Sequence, residues 1–137
     1  MKPKVGISTF LHQDNFYFNG DPDTIVSCAL YFQNTNKENG CLRVIPGSHE
    51  IGILPHDSVS HIEGIQWIDE TKLNPNAILD LELDAPYAVF FNINMIHGCY
   101  PNTSNSTRFS LAWEYIESSN NNVASSVDNW CDRNLVG

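Results

Sequence analysis

Several segments of this chain are rich in apolar positions spaced for strands, some alternating with polar ones at a period of two, the pattern of strands buried on one face. "VGISTFLHQD" (5–14) and "TIVSCALYFQ" (24–33) are rich in β-branched and aromatic residues, and the turn cluster "NGDPD" separates them. "NKENG" (36–40) ends in Asn39-Gly40, a hairpin signal, and predicts that "CLRVI" (41–45) returns as the partner of the strand before it. Further strands are predicted at "AILDLEL" (77–83), "YAVFFNINMIH" (87–97) and "RFSLAWEYIE" (108–117). Residues 51–76, interrupted by Pro55, Gly64 and Pro75, read as a loop. The end, 118–137, reads as a polar tail with one helical turn around Trp130. Six strands and no convincing helix predict an all-β sandwich or barrel in a single domain, 1–137.

Charge narrows the partners. The net charge of −9 and the lack of any Lys/Arg cluster argue against a nucleic-acid surface. No apolar run is long enough to span a bilayer, and the first residues lack the apolar core of a signal peptide. Cys28, Cys41, Cys99 and Cys131 show no CxxC spacing, so free thiols in a cytoplasmic setting are expected.

Strand parity then sorts the candidate chemistry. Alternation would put His12 and Asp14 on one face of their strand and Gln13 on the other. An imidazole and a carboxylate so placed can fill two corners of a metal shell, although a lone H-x-D also arises by chance. The third ligand would come from His49, His56, His61 or His97. His56 and His61 read as solvated loop residues. His97, closing an apolar strand, is the best aimed, yet a hydrogen-bonded core histidine accounts for it equally well. In the last strand Arg108, Ser110, Ala112 and Glu114 face one way, while Phe109, Leu111, Trp113 and Tyr115 face the other. The first face is small and polar, led by an arginine, and suits a lumen that holds an anion; an internal salt bridge is the plainer alternative. Two histidines, one aspartate and such an arginine are the kit of a non-haem iron oxygenase.

Three motifs in order, "HQDNFYF", "ENGCLRVIPGSH" and "HGCYPNTSNSTRFSLAWEY", resemble the phytanoyl-CoA dioxygenase family of Fe(II)- and 2-oxoglutarate-dependent oxygenases. The resemblance runs from about His12 to Ile116. It implies a double-stranded β-helix, a jelly-roll barrel. It also implies that His12, Asp14 and His97 ligate iron and that Arg108 pairs with the distal carboxylate of 2-oxoglutarate, with Gln13, Tyr17 and Cys99 lining the cosubstrate site. The implied reaction consumes O2 and 2-oxoglutarate, hydroxylates a small organic substrate and releases succinate and CO2. Asp14 favours hydroxylation, because halogenating relatives carry a small residue there.

Departures from the family pattern matter too. Cys99 stands where the family has a small hydroxyl residue, and Leu30 where some members carry an aromatic. Family members carry a long stretch ahead of H-Q-D, including helices, where this chain has eleven residues. The stripe Phe109, Leu111, Trp113 and Tyr115 would lie on the face that stretch covers, so the chain is expected to be a piece of a longer protein or to self-associate. The rival readings are a jelly-roll module that has lost turnover and a cupin-like zinc or manganese protein.

Overall fold

The structure is a computed structural model describing residues 8–58 and 66–118. The expectations for 5–7, for His61 and for the tail around Trp130 and Cys131 fall outside those residues. Among the described residues there are nine short strands and one four-residue helix: β1 (Thr9–His12), α1 (Asn15–Phe18), β2 (Ile25–Tyr31), β3 (Leu42–Val44), β4 (Asp57–Ser58), β5 (Gln66–Trp67), β6 (Leu79–Asp80), β7 (Tyr87–Asn92), β8 (His97–Cys99) and β9 (Ser110–Ile116). They form an antiparallel sheet in the order β1-β8-β3-β6, another in the order β7-β2-β9, and the hairpin β4-β5. The two larger sheets face each other. Ala29 and Tyr31 of β2 pack on Leu42 and Val44 of β3, with Val89, Phe91 and Met95 around them. The all-β expectation therefore holds, in the jelly-roll form of a double-stranded β-helix.

β2 shows how the sequence sets this layer. Ile25, Ser27, Ala29 and Tyr31 point inward and are buried, while Val26 and Phe32 on the other face are exposed. Cys28 also points outward but is buried, flanked by its cross-strand neighbours Phe90 and Trp113.

Several local expectations are corrected. β2 and β3 are not hairpin partners: β2 pairs with β7 and β9, and β3 pairs with β8 and β6. Asn39-Gly40 makes a tight turn between the two sheets, closed by reciprocal bonds between Asn36 and Asn39. Gly40, at φ +86°, sits so near the Tyr100 carbonyl that a Cβ would come within 2.6 Å of it. "YAVFFNINMIH" is not one strand either. It ends at Asn92, whose side-chain oxygen accepts from the Asn94 N–H, and the chain turns into the opposite sheet before His97 opens β8. "AILDLEL" keeps only the two residues of β6, and 51–76 contains β4, β5 and a short 3-10 turn at Glu70–Lys72.

The junction of β1 and β8 decides the site. Thr9 pairs with Cys99 and His12 with His97, so Phe10 and Leu11 together oppose the single residue Gly98. That is a β-bulge, and it brings Thr9 and His12 to the same face despite their odd separation. A Cβ on Gly98 would lie 2.6 Å from the Thr9 carbonyl oxygen and 2.9 Å from that of Phe10, so the bulge requires glycine there. β1 then ends at His12, and Asp14 is the N-cap of α1 with a helical backbone. The expectation that His12 and Asp14 stand two apart on one straight strand is thus corrected; a bulge and a helix start do the aiming.

The outer face of β7-β2-β9 stays apolar. Val26, Phe32, Phe90, Phe109, Leu111 and Tyr115 are all exposed there, Phe90 to 62%. A patch of this kind drives association. Size-exclusion chromatography of this chain is expected to show concentration-dependent self-association, reduced by the double substitution Phe90→Ser, Leu111→Ser; a monomer at every concentration contradicts it.

Candidate active site

His12, Asp14 and His97 converge. Their ligand atoms all lie within 4.8 Å of one another, forming a candidate metal site. Nε2 of His12 is 3.4 Å and Nε2 of His97 3.6 Å from the same Asp14 oxygen, Oδ1. Each ring is held from behind: Nδ1 of His12 bonds the Phe10 carbonyl at 2.8 Å, and Nδ1 of His97 bonds the Met95 carbonyl at 3.0 Å. A carbonyl only accepts, so both Nδ1 atoms carry a proton, and Nε2 of each ring is the nitrogen turned toward Asp14, the one that a metal would take in its deprotonated form. The other Asp14 oxygen, Oδ2, accepts a 2.8 Å bond from the Ser27 hydroxyl. Two neutral imidazoles and one carboxylate, each oriented by a second partner, form a donor set that fits a divalent transition metal.

The electrostatics without a metal are those of a tight polar cluster. Burial is the strongest influence on Asp14 and pushes its pKa up, but bonds and charges from His12, His97 and Ser27 outweigh it and leave it below the ordinary carboxylate value. Burial likewise pulls His12 down, yet Asp14 and the Phe10 carbonyl raise it overall. His97 is held below the usual histidine value by burial, with Asp14 opposing. Ser27 was not among the residues the sequence pointed to. Its signal is a small hydroxyl on an otherwise apolar inward face of β2. Ser27→Ala is expected to weaken Ni(II) or Fe(II) affinity by about 10–100-fold, measured by anaerobic calorimetry; unchanged affinity would show that Asp14 needs no such support.

Arg108 answers the question of its partner by elimination among the described residues. It is 3% exposed, its Nη1 donates to Ser110 Oγ at 3.0 Å, and its guanidinium lies 5.2 Å from the Tyr31 ring centre. Its Nε is buried without a hydrogen-bond partner, and among the described residues no carboxylate lies within ion-pair distance of it. A buried guanidinium with so little to bind is costly to keep. Between the Arg108–Ser110 end and the Ser27 level, β2 and β9 contribute Ala29 opposite Ala112, both facing inward. Small residues there leave the lumen open, and Ala112 is exposed despite its inward direction.

The remaining candidates divide. Tyr17 stands beside the site, its ring edge-on to His12, and its hydroxyl donates to the Gln66 carbonyl at 2.6 Å. Cys99 faces inward next to Thr9, with Sγ 3.2 Å from Thr9 Oγ1. Gln13 is fully buried and its amide is committed to backbone groups: it donates to Gly52 and Asn94 carbonyls and accepts from Leu54 N–H. This geometry makes it a tie between segments. His56 is not a solvated loop residue. Its Nδ1 donates to the Leu54 carbonyl, its Nε2 accepts from Gln13 N–H, and its ring stacks on Phe16 at 4.1 Å. Both nitrogens are occupied, so it offers no lone pair to a metal. His49 is partly exposed, with Nε2 3.9 Å from Glu50, and is not one of the residues that converge in the cluster.

Residues 1–110 match the family described as Phytanoyl-CoA dioxygenase (PhyH). The chain belongs to the phytanoyl-CoA dioxygenase family. It is 30% identical over 132 residues to the phytanoyl-CoA dioxygenase domain-containing protein 1 homolog of Dictyostelium discoideum, covering 93% of this chain and 47% of that protein. It is 32% identical over 113 residues to the peroxisomal phytanoyl-CoA dioxygenase of Homo sapiens, covering 77% of this chain and 32% of the relative. Among solved structures it resembles the non-heme monooxygenase ThoJ in its apo form, with TM-score 0.69 and 28% identity over 85% of this chain and 42% of ThoJ. EvdO2 from Micromonospora carbonacea, solved with 2-oxoglutarate, shares the fold at TM-score 0.63 and 24% identity, covering 96% of this chain and 54% of EvdO2. The chain therefore spans about half, or less, of the length of these relatives.

Proposed function

We propose that this chain carries the catalytic centre of an Fe(II)- and 2-oxoglutarate-dependent oxygenase that hydroxylates a small organic substrate, with succinate and CO2 as coproducts. The observation that carries the reading is the pairing of two arrangements on one lumen. One is two histidine Nε2 atoms aimed at one aspartate oxygen; the other is a buried arginine lacking a carboxylate among the described residues. His12, Asp14 and His97 would hold the iron, which when bound with 2-oxoglutarate supplies the activation of O2. Arg108 would take the distal carboxylate of 2-oxoglutarate in its rigid fork, with Ser110 steering the guanidinium. Ala29 and Ala112 would leave room for the carbon chain between those ends, and Ser27 would keep one Asp14 oxygen turned to the metal. The apolar packing of β2 on β3 would exclude water from one side.

Family membership and the likeness to non-heme oxygenases support this reading. The direct test is anaerobic titration with Fe(II) and then 2-oxoglutarate, which is expected to produce the weak visible charge-transfer band of the chelate. Aerobic succinate release is expected to follow. A band without succinate would favour a metal-binding module without turnover, and no band in folded protein would overturn the proposal.

A further inference from the structure

Glu114 is the unexplained charge of this lumen. It sits on the inward face of β9, directly opposite Ser27 of β2, and Ser27 holds Asp14. Its carboxyl is half-buried and feels the charge of Asp14, and these two effects, burial first, raise its pKa. All four described basic side chains are engaged elsewhere: Lys37 with Asp80, Arg43 with Glu70, Lys72 with Asp57 and Asp69, and Arg108 with Ser110. A second carboxylate near a first, with no lysine or arginine among the described residues to pair with it, is destabilising in itself. It calls for a function.

The charge balance of the loaded site names the partner, and this step rests on the oxygenase reading above. A divalent ion and Arg108 together offset Asp14 and the two carboxylates of 2-oxoglutarate. Glu114 is then the surplus negative charge, at the metal's level of the barrel rather than at the Arg108 end. β9 is an edge strand of its sheet, so among the described strands nothing pairs beyond Glu114. Ala112 on one side of it is small, and Phe91 on the far side of Ser27 stands 4.6 Å from the His97 ring. An organic group entering there meets an aromatic wall, a carboxylate and the three ligands.

We propose that Glu114 is the specificity-determining residue for the primary substrate, pairing with a protonated amine carried near the carbon to be oxidised. An anionic substrate group is disfavoured at the same place, because it would face Glu114 across a partly desolvated lumen.

The test uses three matched probes, n-butylamine, n-butanol and butyrate, with the whole chain loaded with Ni(II) and 2-oxoglutarate. Binding is read by saturation-transfer NMR, and folding of each variant by circular dichroism. The amine is expected to bind at least about tenfold more tightly than butyrate, a difference of ~1.4 kcal/mol. Glu114→Gln, nearly the same shape without the charge, is expected to abolish that preference; Glu114→Asp, a second variant that keeps the charge, is expected to retain most of it. Equal binding of the three probes to wild type overturns the inference, as does a folded Glu114→Gln that binds the amine as wild type does. A butanol preference that survives Glu114→Gln likewise overturns it, pointing to a hydroxyl substrate. The charge-transfer band of the wild type separates the failures: a band without amine preference sinks this inference alone, and no band sinks the oxygenase reading with it.

Discussion

Arg108→Leu is expected to weaken 2-oxoglutarate binding by about thirty- to several-thousand-fold while leaving the metal-free chain as stable as before or more so. The first half follows from truncating one partner of a buried charge pair, which costs about 2–5 kcal/mol. The second half follows from what Arg108 lacks in the absence of ligand. Among the described residues it has one hydrogen-bond partner, Ser110, and its buried Nε has none. Removing an under-satisfied guanidinium relieves a desolvation cost that a leucine of smaller polarity does not carry. Arg108→Lys keeps the charge but loses the fork, and is expected to bind 2-oxoglutarate at least about tenfold more weakly than wild type. The measurements are the charge-transfer band against 2-oxoglutarate concentration and a thermal melt of each variant without ligand. A large loss of stability in Arg108→Leu would show that the arginine serves the fold rather than an anion.

Asp14→Ala is expected to lower Fe(II) or Ni(II) affinity by at least about a hundredfold, more than loss of a supporting residue does. Asp14 Oδ1 is the one atom both histidine Nε2 atoms face, at 3.4 and 3.6 Å, so its removal leaves two imidazoles with no anionic ligand between them. Asp14→Asn is the control for folding. It keeps an oxygen to accept from Ser27 and removes only the charge that neutralises the metal. Both variants are expected to fold and to fail in metal binding by calorimetry under anaerobic conditions. His97→Ala is expected to match them, since its Nδ1 is already spent on the Met95 carbonyl and only Nε2 serves the site. Metal affinity unchanged in all three would place the ion elsewhere.

Much of this centre was legible in the sequence, for uneven reasons. Strand parity separated Arg108 from Phe109, Leu111 and Tyr115, because this stretch keeps a strict two-residue period, and the small polar character of the Arg108 face marked it as the lumen side. The same rule misplaced Asp14. β1 carries a bulge at Phe10 and Leu11 and stops at His12, and no local propensity reports a bulge whose cause is the close approach of Gly98. His97 was found for a partly mistaken reason: it begins a strand in the other sheet instead of ending the strand before it. His56 shows the limit on the polar side. Its two bonds, to Leu54 and to Gln13 N–H, depend on a fold that brings residues 13 and 56 together.

What the sequence determined by itself is the inventory and its faces: an all-β chain with a buried arginine, an inward row of small residues and a set of histidines and acids suited to a metal. Periodicity carries that much, because each strand's burial is a local matter of every second residue. Which of those residues meet was decided only by the tertiary structure. Pairing β1 with β8 and β2 with β9 is a long-range choice, made by packing two sheets face to face, and it alone sets His12, Asp14 and His97 around one point with Ser27 and Glu114 beside them.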